Sequence, residues 1–183
     1  MNKILCLLIL SSISIYSQKQ INNFEIEDGT NIVYKRVFEM KENSKEEIVS
    51  FFQSLSNVQI SDVSDELIGE IEDMNINYKK YGGKYMNTLI LLNQKMNSKI
   101  KVQFKDDKYR IILRDIKFYD DVSLNSLSTL KESDNITHFS DFMVKKKKGE
   151  FRTSKILLKG LEYMDLYFND FFTYKESKSD DDW

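Results

Sequence analysis

Apolar and polar residues alternate over residues 31–40, where Ile32, Tyr34, Phe38 and Met40 share one side at a period of two. This spacing predicts a strand. Arg36 interrupts its apolar face, so an edge position or a bulge is expected there. Helical spacing takes over at 44–55, where Ile48, Phe51, Phe52 and Leu55 recur at intervals of three and four. Ser44 followed by Glu47 forms a capping box, in which the two residues satisfy each other's free backbone N–H. Val58 and Ile60 begin a further short strand. Segments 67–71 and 74–78 read as two more, the second alternating Met74, Ile76 and Tyr78 with Asn75, Asn77 and Lys79. Gly82-Gly83 marks a turn, and 88–92 reads as a short apolar strand.

The strongest β pattern runs from Lys99 to Tyr119. Asp106-Asp107 sits between two β-rich runs and predicts a two-residue hairpin loop. Phe104 then faces Tyr109, Val102 faces Ile111 and Ile100 faces Leu113, with all six apolar side chains on one face. Beyond Leu113 the apolar phase moves to Ile116 and Phe118, which predicts a bulge near Arg114-Asp115. Leu124, Leu127 and Leu130 suggest one or two helical turns, and the charged run Lys145 to Lys148 beside Gly149 suggests a solvated loop. A long helix is expected from Thr153 or Ser154 to about Lys175. Its stripe is Leu157, Leu161, Met164, Phe168 and Phe171, widened by Ile156, Tyr167 and Phe172.

The first residues follow another rule. Lys3 precedes an apolar run, Ile4 to Leu10, and Ser17 offers a small residue before Gln18. Residues 1–17 therefore read as a cleavable secretory signal, with periplasmic or extracellular delivery expected. The run is too short and too rich in serine to span a bilayer, and no later run is long enough. The expected organisation is a signal at 1–17, a polar N-terminal arm at 18–30, one domain at 31–176 and an acidic, disordered tail at 177–183. The domain is α+β: a curved antiparallel sheet of about five to seven strands with two helices on one face, in the order β-α-β (four or more)-α.

Several of these segments together resemble a known group. The helix start Ser44-Lys45-Glu46-Glu47-Ile48, the stretch Leu67-Ile68-Gly69 with its strand, and Val102-Gln103-Phe104-Lys105-Asp106-Asp107-Lys108-Tyr109-Arg110 carry the resemblance. Across about residues 32–120 the chain resembles a bacterial family of exported domains of unknown function with a TATA-binding-protein-like fold. The resemblance implies secretion and that fold. It brings no catalytic residues, and the fold's name implies nothing about DNA.

Composition narrows the chemistry. The only cysteine, Cys6, lies in the export segment, so a processed chain has no disulfide, no thiolate nucleophile and no cysteine ligand for a metal. Loss of Lys3 moves the formal charge from −2 to −3, which favours solubility and names no partner. The single histidine, His138, has no second histidine or cysteine with which to hold zinc, and no Gly-x-Ser-x-Gly elbow accompanies it. No cofactor, metal or catalytic residue is expected.

One surface stands out. The face opposite Val102 and Ile111 carries Lys101, Gln103, Lys105, Lys108, Arg110, Ile112 and Arg114, a basic strip on a slightly acidic protein. It suits an anionic ligand or an acidic protein partner. A half-exposed antiparallel sheet needs a polar face in any case, so the same residues also suit a plain solvated surface. The strip lacks interleaved exposed aromatics, which argues against nucleic acid. A different use, carriage of a small apolar ligand between sheet and last helix, would draw on Tyr163, Tyr167, Phe168, Phe171 and Phe172; those rings equally suit an ordinary core.

Overall fold

The structure is a computed structural model that describes residues 19–40, 44–63, 65–119 and 136–175. Residues 1–17, where an export signal is expected, the leucines at 124–130 and the acidic tail lie outside the described residues. Strands β1 (Gln20–Ile21), β2 (Phe24–Glu27) and β3 (Asn31–Glu39) precede helix α1 (Lys45–Ser54). Strands β4 (Val58–Val63) and β5 (Glu66–Asn75) follow, then three short 3-10 turns (Tyr78–Tyr81, Tyr85–Asn87, Ile90–Asn93). Next come β6 (Lys95–Lys105), β7 (Lys108–Tyr119), β8 (Ile136–His138) and a short helix α2 (Phe139–Met143). The small pair β9 (Val144–Lys145) and β10 (Glu150–Phe151) leads into α3 (Lys155–Phe172).

One antiparallel sheet runs in the order β1-β2-β3-β7-β6-β5-β4, with β8 joining the second half of β7. The hairpin register is the one the alternation predicts: Phe104 pairs Tyr109, Val102 pairs Ile111 and Ile100 pairs Leu113. The register slips between Asn97 and Lys99, opposite Asp115, which takes a left-handed φ of 53°. This is the expected bulge, and it turns Ile116 and Phe118 back into the core.

Both long helices lie on one face of the sheet. The ring of Phe52 on α1 meets Tyr109 at 6.0 Å and Phe172 of α3 at 6.1 Å, while Phe168 of α3 meets Tyr34 at 4.9 Å. Such rings are the main adhesive of a core with no disulfide. Each contributes roughly 1.5–3 kcal/mol by burial, plus about 1 kcal/mol per well-set pair. The capping box of α1 is formed: Ser44 Oγ accepts from Glu47 N (3.2 Å), and Ser44 N donates to Glu47 Oε2 (2.7 Å). Ser154 caps α3. Tyr109 OH closes its other end, donating to Phe172 O (2.7 Å) and accepting from Tyr174 N (3.1 Å).

Three expectations are corrected. Residues 20–27 are not a loose arm: β1 and β2 extend the sheet, and Phe24 is fully buried. The short alternation of Phe24 and Ile26 with Glu25 and Glu27 is masked by the surrounding asparagines. Segments 67–71 and 74–78 are not two strands. β5 runs through the first and into the start of the second, with a bulge between Ile71 and Met74, then ends at Asn75, and Tyr78 lies in the following 3-10 turn. Residues 88–92 form 3-10 structure, burying Leu89, Leu91 and Leu92 but exposing Ile90. Thr88 Oγ1 donates to Lys84 O (2.7 Å), a local bond that competes with a strand ladder. Arg36 lies at an edge, as expected: β3 runs between β2 and β7, but β2 pairs only with Asn31–Tyr34, so at this position the strand has β7 alone beside it. The Arg36 side chain points under α3 to Asp165, whose Oδ1 accepts from Arg36 Nη1 (3.2 Å), Tyr34 OH (3.2 Å) and Asn23 Nδ2 (2.7 Å).

Candidate functional site

The other face of the sheet carries none of the described helices. Strand alternation aims Lys99, Lys101, Gln103 and Lys105 of β6 and Lys108, Arg110, Ile112 and Arg114 of β7 to this side. The six residues singled out in the sequence, Lys101, Gln103, Lys105, Lys108, Arg110 and Arg114, therefore share one face. What the sequence does not reveal is their company. Neighbouring strands place carboxylates among them, because the sheet order sets β5 beside β6 and β3 beside β7, with β2 one strand further. Lys101 pairs Glu66 at 2.5 Å, Lys108 pairs Glu39 at 3.0 Å and Arg114 pairs Glu27 at 3.2 Å. Gln103 bridges Arg110 to Glu66 through its own amide. The strip is thus a braided, mixed-charge surface, with Lys105 and Lys99 lacking an ion pair among the described residues.

Between these side chains run apolar residues. Ile112 is flanked across the strands by Lys101 and Lys35 and is only 5% exposed, roofed by long aliphatic stems. Ile68 and Val37 stand open beside it.

Three concavities follow one another across the face. At the hairpin end, Val37, Glu66, Gln103, Lys105, Lys108 and Arg110 line a shallow basin of about 750 Å³. In the middle, Ile68 and Ile112 floor a depression of about 400 Å³ fenced by Glu70, Lys99, Lys101 and Arg114. At the far end lies a polar cleft of about 520 Å³ with Glu27, Asp28, Asp115, His138, Ser140 and Asp141 on its walls. Lys99 and Arg114 line both of the last two. Lys99 escaped the sequence reading although it continues the outward phase two places before Lys101. His138 sits in the cleft with Nδ1 3.9 Å from Asp115 Oδ1, a contact created by β8 joining β7.

The electrostatics suit ion pairing. Lys35, then Arg114, hold the Glu27 carboxyl below its ordinary value against an opposing effect of burial. Lys101, then Gln103, do the same for Glu66. On α3, Lys80 and Tyr81 lower Asp170. Carboxyls lowered in the fold contribute stability that is present above their unfolded values, near 4.5 for Glu and 3.8 for Asp, and is lost as pH falls through the folded values. The melting temperature, followed by circular dichroism, is therefore expected to hold from neutral pH to about 5 and to fall below about 4.5. A melting temperature unchanged at pH 3 would contradict these pairings.

The aromatic stripe lies elsewhere. Phe168 and Phe172 are fully buried against Tyr34 and Phe52, Tyr163 is nearly so, and Tyr167 stacks on Phe171 at 5.8 Å. These rings serve the core by packing on one another. No helix among the described residues is long and apolar enough to cross a membrane, and no group of three or more metal-ligating side chains occurs among them.

No protein-family model matches the chain, and no curated protein matches it. Among solved structures it is similar to a TBP-like protein from Parabacteroides distasonis, with a TM-score of 0.45 and 14% identity over 80% of this chain and 92% of that one. It is also similar to a DUF4468 family protein from Bacteroides ovatus, with a TM-score of 0.38 and 13% identity over 87% of this chain and 96% of that one.

Proposed function

We propose that this chain is an exported, non-enzymatic binding module that uses the open face of its sheet, and that its partner is an acidic protein segment carrying apolar side chains among its carboxylates. The observation that supports this most is the place of Lys99 and Arg114, on the border between an apolar depression and a polar cleft. A carboxylate laid beside Lys99 meets a cation with no intramolecular ion pair among the described residues, and an adjoining apolar side chain covers Ile68 and Ile112. The carboxyl of Glu27 in the cleft is held ionised by its cations, which suits a pairing role and not proton donation at neutral pH. Carriage of a small apolar ligand has less support, since the rings it would use are packed on one another.

Lysine-directed crosslinking in the exported fraction of the native host tests this reading, with the crosslinked sites mapped by mass spectrometry. Crosslinks to a partner are expected at Lys99, Lys101 and Lys105. Lys99→Glu is expected to abolish them while changing stability by less than about 0.5 kcal/mol, as for a surface substitution that breaks no pair. Lys147→Glu, on the turn between β9 and β10, is the charge-matched control and should retain them. Undiminished crosslinking of Lys99→Glu, or crosslinks confined to residues 145–148, would overturn the proposal.

A further inference from the structure

A second surface lies on the helical side of the molecule and owes nothing to the open sheet face. Tyr85, Met86 and Ile90 stand 64%, 85% and 62% exposed on the turns that replace the expected strand at 88–92, and Ile156 at the start of α3 is 49% exposed. Single exposed apolar residues are ordinary, but a contiguous group is not. The two segments that carry the group are locked together, because Leu89 fills the notch left by Gly160, where a Cβ would come within 2.8 Å of it. Ile156 stands one turn before Gly160 on the same helix face, on the side of α3 that receives the segment carrying Leu89 and Ile90.

The segment is held firmly while its tips point outward. Leu89, Leu91 and Leu92 are buried, Asn87 N donates to Lys84 O (3.0 Å), and Tyr78 OH donates to Asn93 Oδ1 (2.6 Å). The fold thus leaves the three tips in solvent while burying the leucines between and after them. The rim is cationic. Lys84 precedes Tyr85, and Lys155 and Lys159 flank Ile156. Lys159 lies 5.2 Å over the ring of Tyr163, which packs beside Gly83. Lys159 also pairs Glu162, whereas Lys84 and Lys155 have no ion pair among the described residues.

We propose that this patch docks the protein on an anionic bilayer surface. Protruding apolar tips enter the headgroup boundary, a tyrosine places its hydroxyl at that depth, and lysines around them meet the lipid phosphates. The position of the patch on the helix layer leaves the opposite sheet face free to bind.

The test is co-sedimentation of the chain from Gln18 onward, which holds every described element, with vesicles of phosphatidylglycerol mixed with phosphatidylcholine and with phosphatidylcholine alone. Binding is expected to the mixture, to weaken with salt, and to be at least about tenfold weaker to phosphatidylcholine alone. Met86→Asp with Ile90→Asp, and separately Lys84→Glu with Lys155→Glu, should each lower binding to the mixture by about tenfold or more. All four positions are exposed, so circular dichroism melts should match the parent chain. Lys99→Glu should bind vesicles as the parent does, which separates this proposal from the sheet-face reading. A parent chain that ignores the mixed vesicles, or variants that bind as well as the parent, would overturn it; self-association or protein binding through Met86 without vesicle binding would do so in favour of a protein contact.

Discussion

Replacing Gly69 with alanine is expected to lower the free energy of unfolding by about 3 kcal/mol or more, measured by urea denaturation. Gly69 pairs with Ile60 of β4 on one side and Ile100 of β6 on the other. A Cβ there would fall 1.8 Å from Gln59 O and 2.8 Å from Ile60 Cα. Those are backbone atoms of the neighbouring strand, so no rotamer change relieves the clash; β4 must move away or unpair. Gly160→Ala is the informative comparison. Its Cβ meets Leu89 Cδ2 at 2.9 Å, which a rotamer change can clear, and Leu89 Cβ at 2.8 Å, which moves only if the turn carrying Leu89 shifts. Alanine also regains about 1 kcal/mol of helix propensity there. The net loss at Gly160 is therefore expected to be smaller than at Gly69, about 1–2 kcal/mol, because one short turn and not a whole strand must shift. Equal effects at the two glycines would mean that β4 and β5 do not approach as closely as described.

The second large effect is expected at Asp165. Asp165→Ala should lower stability by about 2–3 kcal/mol, less than a fully buried pair because Arg36 keeps some contact with solvent. The substitution leaves Arg36, Tyr34 and Asn23 without their shared acceptor at the sheet–helix boundary. Tyr34 is the most sensitive of the three. Burial, and then the negative charge of Asp165, push its phenol far above the ordinary tyrosine value, so it stays a neutral donor. Arg36→Ala should cost less, about 1 kcal/mol, since Asn23 and Tyr34 still satisfy Asp165. Asp165→Asn should fall between, keeping an acceptor oxygen but losing the charge. Urea denaturation should therefore rank the losses with Asp165→Ala largest, Asp165→Asn next and Arg36→Ala smallest. A smaller loss for Asp165→Ala than for Arg36→Ala would contradict the shared-acceptor geometry.

These two sites differ in how visible they are in the sequence. Asp165 sits among apolar helix residues with nothing to mark its partner, and Arg36 reads only as a flaw in a strand pattern. Their pairing joins residues far apart in the chain, and no local rule reports it. The hairpin is the opposite case. Its register follows from a two-residue loop and an uninterrupted alternation, both local, and the observed partners are the ones this implies. The capping box of α1 and the bulge at Asp115 are legible for the same reason. Apolar runs without alternation, such as 88–92, carry less information, because a fully buried strand and a packed turn both accept them.

The candidate surface divides in the same way. That Lys101, Gln103, Lys105, Lys108, Arg110 and Arg114 share a face was determined by the sequence alone, since a period of two leaves no choice once the hairpin closes. So were the α+β class and the absence of cysteine chemistry after Cys6. Only the tertiary structure decided that this face is not a bare cationic patch. Charge neutralisation depends on which strands lie side by side, and the sheet order places Glu27, Glu39 and Glu66 beside cations from distant segments. The same pairing left Lys99 without a partner among the described residues and set it where an apolar floor meets a polar cleft, a property of neighbours in space that sequence order does not encode.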